Sequence, residues 1–236
     1  MLESLDICLM LDSRGIDGAG NVITLDRSKR GIHAQFGDGV TAGVMPTWLP
    51  SDAKATFDGG DYMRFPTTYD VGGILASMGS IQDETYLFYL SPMIVNSTYQ
   101  YLLQHNSQVG TSRFFIRIED TNIIWMNGEN AVATTERLTT GSVLNFNKKE
   151  VLLALVRNPT AATKRQIAYI NGAEFASDSD ALVDCSNAIK AKYIGVNDAG
   201  GFCLQTGTGL RFFGYVRRAV TQTWLQALNR YLRGNL

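Results

Sequence analysis

Four short strand-and-turn signatures, set in order along most of the chain, constrain its fold more than any other feature. They are Phe57-Asp58-Gly59-Gly60-Asp61-Tyr62, Ile167-Ala168-Tyr169-Ile170-Asn171-Gly172, Tyr193-Ile194-Gly195 and Phe213-Gly214-Tyr215-Val216-Arg217. Each couples apolar strand residues to Asp, Asn or Gly, the residues that supply the positive φ angles and side-chain caps of tight turns. A chain punctuated in this way leaves little room for long helices. It is expected to build short antiparallel strands instead.

At 236 residues, with 45% hydrophobic residues, 18% charged residues and 23 glycines, the chain can fill the core of one large β-sandwich. A single domain over residues 1–236 is therefore expected. Alternation and turn spacing predict strands at 4–11, 21–26, 54–57, 62–65, 74–77, 85–90, 99–105, 114–119, 122–126, 143–146, 150–157, 165–170, 192–196 and 209–217. In the first of these, Leu5, Ile7 and Leu9 are placed on one face, and residues 12–20 read as a loop. So many strands imply two packed sheets. The fold class predicted is all-β, a two-sheet antiparallel sandwich closed by one C-terminal helix. In that helix Trp224, Leu225, Leu228, Tyr231 and Leu232 form a stripe, with Thr221 or Thr223 as the cap.

In its order of motifs the chain resembles the concanavalin A-like lectin superfamily, in particular the laminin G-like jelly-roll branch. The resemblance runs from Lys54 to Leu232 through the "FDG-DY" turn, the Val151–Asn158 strand, the Tyr169–Phe175 hairpin, Ile194-Gly195 and Phe212–Val220. Leu25-Asp26-Arg27-Ser28-Lys29-Arg30-Gly31 resembles the family's opening loop. The match fades in an irregular segment, residues 31–50. The resemblance implies a jelly roll, and two uses of one. The first is an accessory structural protein that decorates or cements a tailed-phage capsid, with copies of itself and a capsid or other virion protein as partners. The alternative is a carbohydrate-binding, lectin-like module that meets surface glycans.

Chemistry is signalled mainly by what is missing. The two histidines, His33 and His105, are remote in sequence, and the seven glutamates do not form the E-x-D-x-x-E strand of the superfamily's glucanases. Glu119-Asp120 is the nearest acidic pair, but neighbouring strand residues face opposite ways, whereas glycoside hydrolysis needs two facing carboxylates. No catalytic residues are assigned, and the chain is not expected to be an enzyme. Cys8, Cys185 and Cys203 lack metal spacing and read as free thiols. Loops at Asp12-Asp17-Asn21 and Asn197-Asp198 offer oxygen ligands for calcium, but their residues are also ordinary turn formers, so no cofactor and no metal is predicted.

Net charge is −1 without a basic block, which excludes a nucleic-acid footprint, and no apolar run is long enough to span a membrane. The opening dodecapeptide carries Glu3, Asp6 and Asp12 where a leader would be basic, so folding in a host cytoplasm and residence in the virion are expected. Trp48, Trp125, Tyr99 and Tyr101 are the aromatic residues able to carry a sugar, with Trp125 expected to be core and no glycan site assigned. Met45, Pro46, Trp48, Leu49 and Pro50 form an apolar stretch held extended by proline. They are the predicted interface with a neighbouring subunit. The competing expectation folds Trp48 back onto its own sandwich.

Overall fold

The computed structural model describes residues 2–105, 113–129, 135–186, 192–196 and 203–235. Sixteen strands are present among them: β1 Ile7–Ile16, β2 Val22–Asp26, β3 Ala34–Phe36, β4 Thr47–Leu49, β5 Lys54–Thr56, β6 Met63–Phe65, β7 Glu84–Met93, β8 Gln100–His105, β9 Arg113–Ile118, β10 Ile123–Glu129, β11 Thr135–Ser142, β12 Lys149–Arg157, β13 Gln166–Ile170, β14 Ala173–Asp178, β15 Lys192–Ile194 and β16 Gly209–Val216. One four-residue helix, α1 (Ile74–Ser77), precedes β7, and α2 (Gln222–Asn235) follows β16.

All strand pairs are antiparallel, and the main hydrogen-bonded path runs β11-β10-β9-β8-β15-β6-β3-β2-β1-β16-β7-β12-β13-β14. β1 carries the path from one layer into the other. Its Ile7–Met10 half pairs with β16, while β2 pairs with Leu9 and then with Arg14–Ile16, the register shifting between Leu9 and Arg14. A bulge of this kind bends a strand and lets it serve two sheets. At the far ends of the path β11 packs beside β14, so the two layers close on each other.

The space between the layers is filled by Leu9, Phe36, Phe65, Phe88, Phe114, Ile116, Leu153, Leu155 and Phe213, all fully buried. Tyr86 stacks on Phe114 across the layers with ring centroids 5.1 Å apart, and Phe65 meets Phe213 at 5.6 Å. The other face of β1, β16, β7 and β12 is buried too. Cys8, Met10, Leu87, Tyr89, Leu152, Ala154 and Phe212 form a second core under Leu225, Leu228 and Leu232 of α2. Leu152 and Leu155, of opposite parity, thus lie in different cores. Strands buried on both faces read as continuous apolar runs, as "VLLALV" does. In the motif strands named above, Tyr169, Ile194 and Phe213 are buried, while Ile167 is only partly so.

The all-β sandwich with its C-terminal helix is therefore the observed fold, and Thr221 is the helix cap: its Oγ1 accepts from Trp224 N at 3.3 Å. Several local expectations are corrected. Ile74–Ser77 is a helical turn and Leu144–Phe146 a 3-10 turn, because short apolar runs carry no decisive period. β1 runs on to Ile16 through part of the expected loop. Leu5 precedes the strand and joins the core under the helix, apart from Ile7 and Leu9. The segment 31–50 holds two three-residue strands, β3 and β4, too short to show alternation. β11 has no counterpart among the expected strands, and β14 carries the second arm of the Tyr169–Phe175 hairpin on to Asp178, half exposed and with no apolar face to read.

A buried ion pair ties the layers to the loops that cross their end. Arg157 and Glu84 are both 0% exposed and bonded through Nη1 and Oε1. Arg157 also donates to Ser80 O at 2.8 Å and Val183 O at 3.0 Å, and Glu84 Oε2 accepts from Tyr215 OH at 2.9 Å. Burial pushes the Glu84 carboxyl upward, and Arg157 and Tyr215 oppose the shift.

Candidate functional site: a polar groove at one end of the sandwich

The turn Phe57–Tyr62 is built by its own acids. Asp58 N donates to Asp61 Oδ2 at 2.9 Å, and Gly60 N donates to Asp58 Oδ1 at 3.0 Å. Phe57 enters the core beside Gly195, whose φ is +92°. A Cβ on Gly195 would stand 2.6 Å from Phe57 Cε1, so the "IG" glycine is required both by its backbone and by the ring against it. The strand leading into β16 is laid along this turn: Phe57 N donates to Thr208 O, Gly207 N to Phe57 O, and Thr206 Oγ1 to Asp58 O at 2.7 Å.

Two further turns meet there. Ser97 and Asn122 both adopt left-handed backbone, at φ +56° and +60°. They clip together: Ser97 N donates to Asn122 Oδ1 at 2.8 Å, and Asn122 Nδ2 donates to Ser97 Oγ at 3.1 Å. Next to them Asn96, Thr98 and Gln205 close a ring of hydrogen bonds. Asn96 Nδ2 donates to Gln205 Oε1 at 2.5 Å, Gln205 Nε2 to Thr98 Oγ1 at 2.8 Å, and Thr98 Oγ1 to Asn96 Oδ1 at 2.7 Å. This ring fixes two amides and a hydroxyl at the surface without using all their lone pairs and protons.

The result is an open groove of about 440 Å³ lined by Gly59, Ser97, Thr98, Tyr99, Asp120, Cys203 and Gln205. Tyr99 is its half-buried ring. Arg117 Cζ lies 4.9 Å from that ring's centroid, 5.4 Å from Tyr101 and 4.6 Å from Phe115. Arg117 is itself paired with Glu119, and its Nη1 donates to Tyr101 OH at 2.7 Å. Tyr99 and Tyr101 thus share a face, as alternation predicts, but only Tyr99 lines the groove, while Tyr101 is buried. Glu119 is buried against Arg117, and Asp120 stands exposed at the rim. The charges of Asp120 and Glu119 raise the Tyr99 phenol above its usual pKa. Burial raises the Cys203 thiol, with Asp61 and Asp58 adding to the shift.

The other residues singled out in the sequence lie elsewhere. Trp48 packs against the chain's own core, with Nε1 donating to Leu11 O at 2.9 Å and Arg14 Cζ 5.3 Å from its ring. Met45 packs against the same core, Pro46 is buried, Leu49 is half-buried and Pro50 is exposed. Asp17 has both oxygens engaged: Oδ1 accepts from Ala19 N and Asn21 N, and Oδ2 from Asn21 Nδ2 and Tyr69 OH. Among the described residues no group of three or more His, Cys, Asp or Glu side chains is placed to hold a metal. The three cysteines are buried. The side chains of Trp125 and His105, and the Asn197-Asp198 loop, lie outside the described residues. Sequence reasoning found Tyr99 but missed Asn96, Asp120 and Gln205, because Gln205 is brought to Asn96 across 109 positions.

No family model matches this sequence, and no curated protein is similar to it. Solved structures share the fold. The botulinum neurotoxin serotype D ligand-binding domain in complex with N-acetylneuraminic acid superposes with a TM-score of 0.66 at 10% identity, over 98% of this chain and 52% of that one. The binding domain of Paraclostridial mosquitocidal protein 1 gives 0.65 at 13%, over 98% and 53%. Trypanosoma rangeli sialidase gives 0.65 at 14%, over 98% and 33%. The chain spans about half the length of the two binding domains and a third of the sialidase. What is shared at these identities is a β-rich, lectin-like jelly roll.

Proposed function

We propose that the chain is a non-enzymatic carbohydrate-binding module and that the groove beside Tyr99 takes the sugar. The observation that carries this reading is the pairing, in one groove, of an aromatic ring with Thr98 and Gln205, both held by Asn96, and the Asp120 carboxylate. A sugar presents an apolar C–H face edged by hydroxyls that both donate and accept. Ring, amides and carboxylate match that pattern. The jelly-roll binding domains among the structural neighbours, one of them solved with a sugar acid, support the same reading. No metal is invoked, since the Asp17 carboxylate is already engaged by Asn21 of its own turn and by the Tyr69 hydroxyl.

A glycan array followed by calorimetry on the best ligand tests it. Tyr99→Ala should weaken binding at least about tenfold with only a small drop in melting temperature, because the half-buried ring lies outside both cores and packs beside the Arg117 guanidinium. Chelation with EDTA should leave the affinity intact. Binding that survives Tyr99→Ala would remove the sugar from this groove.

A second reading, the capsid-decorating assembly protein, keeps one favourable observation. Among the described residues β4 pairs only with β5, which leaves its other edge for a neighbouring copy to extend. In that proposal residues 45–50 would lie at the contact. Replacing Leu49 and Pro50 by Ser should then disperse a multimer seen by sedimentation without lowering subunit stability.

A further inference from the structure

Resting on the glycan-binding reading, we infer that this groove selects neutral sugars, hexoses or N-acetylhexosamines, and rejects acidic ones, with Asp120 as the residue that determines the choice. Among the described residues that line the groove, Asp120 is the one ionisable at neutral pH; no Lys or Arg lines it. Recognition of a carboxylate or sulfate calls for a cation, most effectively a two-pronged Arg. The nearby Arg117 is spent on Glu119, on Tyr101 OH and on three aromatic rings, so its charge is answered before it reaches the groove.

The field inside the groove has the sign this argument requires. Asp120 and Glu119 hold up the Tyr99 phenol on one side, and Asp61 and Asp58 contribute to holding up the Cys203 thiol on the other. Among the described residues the one carboxylate that lines the groove, Asp120, thus faces no unpaired cation there, since Arg117 is matched by Glu119. A sugar acid entering it meets like charge, whereas a neutral sugar offers hydroxyl protons. Asp120, exposed and acceptor-only when ionised, can take two of them.

The test compares neutral glycans with the same glycans capped by sialic acid or sulfated, using the full chain, Asp120→Asn and Tyr99→Ala, at low and high salt. The wild type should bind neutral glycans at least about tenfold more tightly than their acidic counterparts, with the gap narrowing as salt screens the repulsion. Asp120→Asn should shrink the gap and remove most of its salt dependence. Acidic glycans that bind as well as neutral ones, with both lost in Tyr99→Ala, would overturn the selectivity and leave the groove standing. If no glycan binds at all, the groove reading fails and the selectivity with it.

Discussion

Asp61 shows how one residue can serve a turn and burden the fold. Its carboxyl is 2% exposed, accepts from Asp58 N at 2.9 Å, and is pushed up to about 6 by burial, with the Asp58 charge adding to the shift. A folded-state pKa above the unfolded value favours the protonated native form. The associated stability is fully present below about pH 4 and is lost as pH rises through about 6. Asp38, held down to about 2 by Thr41 and Val40, acts in the opposite sense but only below the ordinary carboxylate range. Above the ordinary carboxylate range Asp61 acts in the same sense as Glu84, whose carboxyl burial also raises, so the Asp61 share is read from its own variant. The unfolding free energy measured in urea should fall between about pH 4.5 and 7, with roughly 1–2 kcal/mol of the fall due to Asp61 once water at the rim of the turn is allowed for. Asp61→Asn keeps an acceptor for Asp58 N and should flatten the profile; a variant that titrates like the wild type would place the effect elsewhere. The turn itself was legible as "FDG-DY". The burial of its second acid was not, since that depends on Gly195 and Cys203, more than 130 positions away.

The hairpin joining β13 to β14 and the helix α2 stabilise one another. Asn171 and Gly172 have φ of +53° and +80°, the pair of left-handed residues a two-residue hairpin turn requires. Asn171 Oδ1 accepts from Leu152 N at 3.0 Å, and Asn229 Nδ2 of the helix donates to Asn171 O at 3.2 Å. Gly172 lies against Gln226, where a Cβ would stand 2.8 Å from Cγ. The helix thus docks on a turn as well as on an apolar face. Leu228→Ala should cost about 2–5 kcal/mol in urea unfolding, since Leu228 is fully buried between α2 and the sheet. An unchanged midpoint would mean that the helix does not rest on the sheet in solution. Elements of this kind could be read from sequence because their own residues carry the pattern: Asn-Gly for the turn, a 3.6-residue stripe for the helix, an unbroken apolar run for β12. β3 and β4 could not, because three residues hold no period, and β14 shows little burial. The groove was legible only at Tyr99; its other walls come from turns that sequence distance hides.

At the scale of the whole molecule, two cores share one sheet, and the layers must be held in register where crossing loops would otherwise leave the end open. Apolar contacts fill both cores but are not directional. The direction comes from Glu84 at the start of β7 and Arg157 at the end of β12, neighbours in the ladder. Their remaining hydrogen-bonding capacity is spent on Ser80, Val183, Tyr215 and Gly79, and Arg157 Cζ lies 5.1 Å from the Phe114 ring of the opposite layer. Removing one partner of such a pair strands a charge in a dry site, a loss of about 3–5 kcal/mol, whereas removing both strands no charge and leaves only neutral groups such as the Ser80 and Val183 carbonyls short of a donor. Glu84→Gln and Arg157→Met should each destabilise by that amount in urea unfolding. The double variant should lose clearly less than the sum, the difference measuring the coupling. The register role makes a further demand on the double variant. Its near-ultraviolet circular dichroism, which reports the packing of Tyr86 and Phe114, should weaken even where stability recovers. Additive losses, or single variants within about 0.5 kcal/mol of the wild type, would show that the cores alone hold the layers together and that the pair is incidental to them.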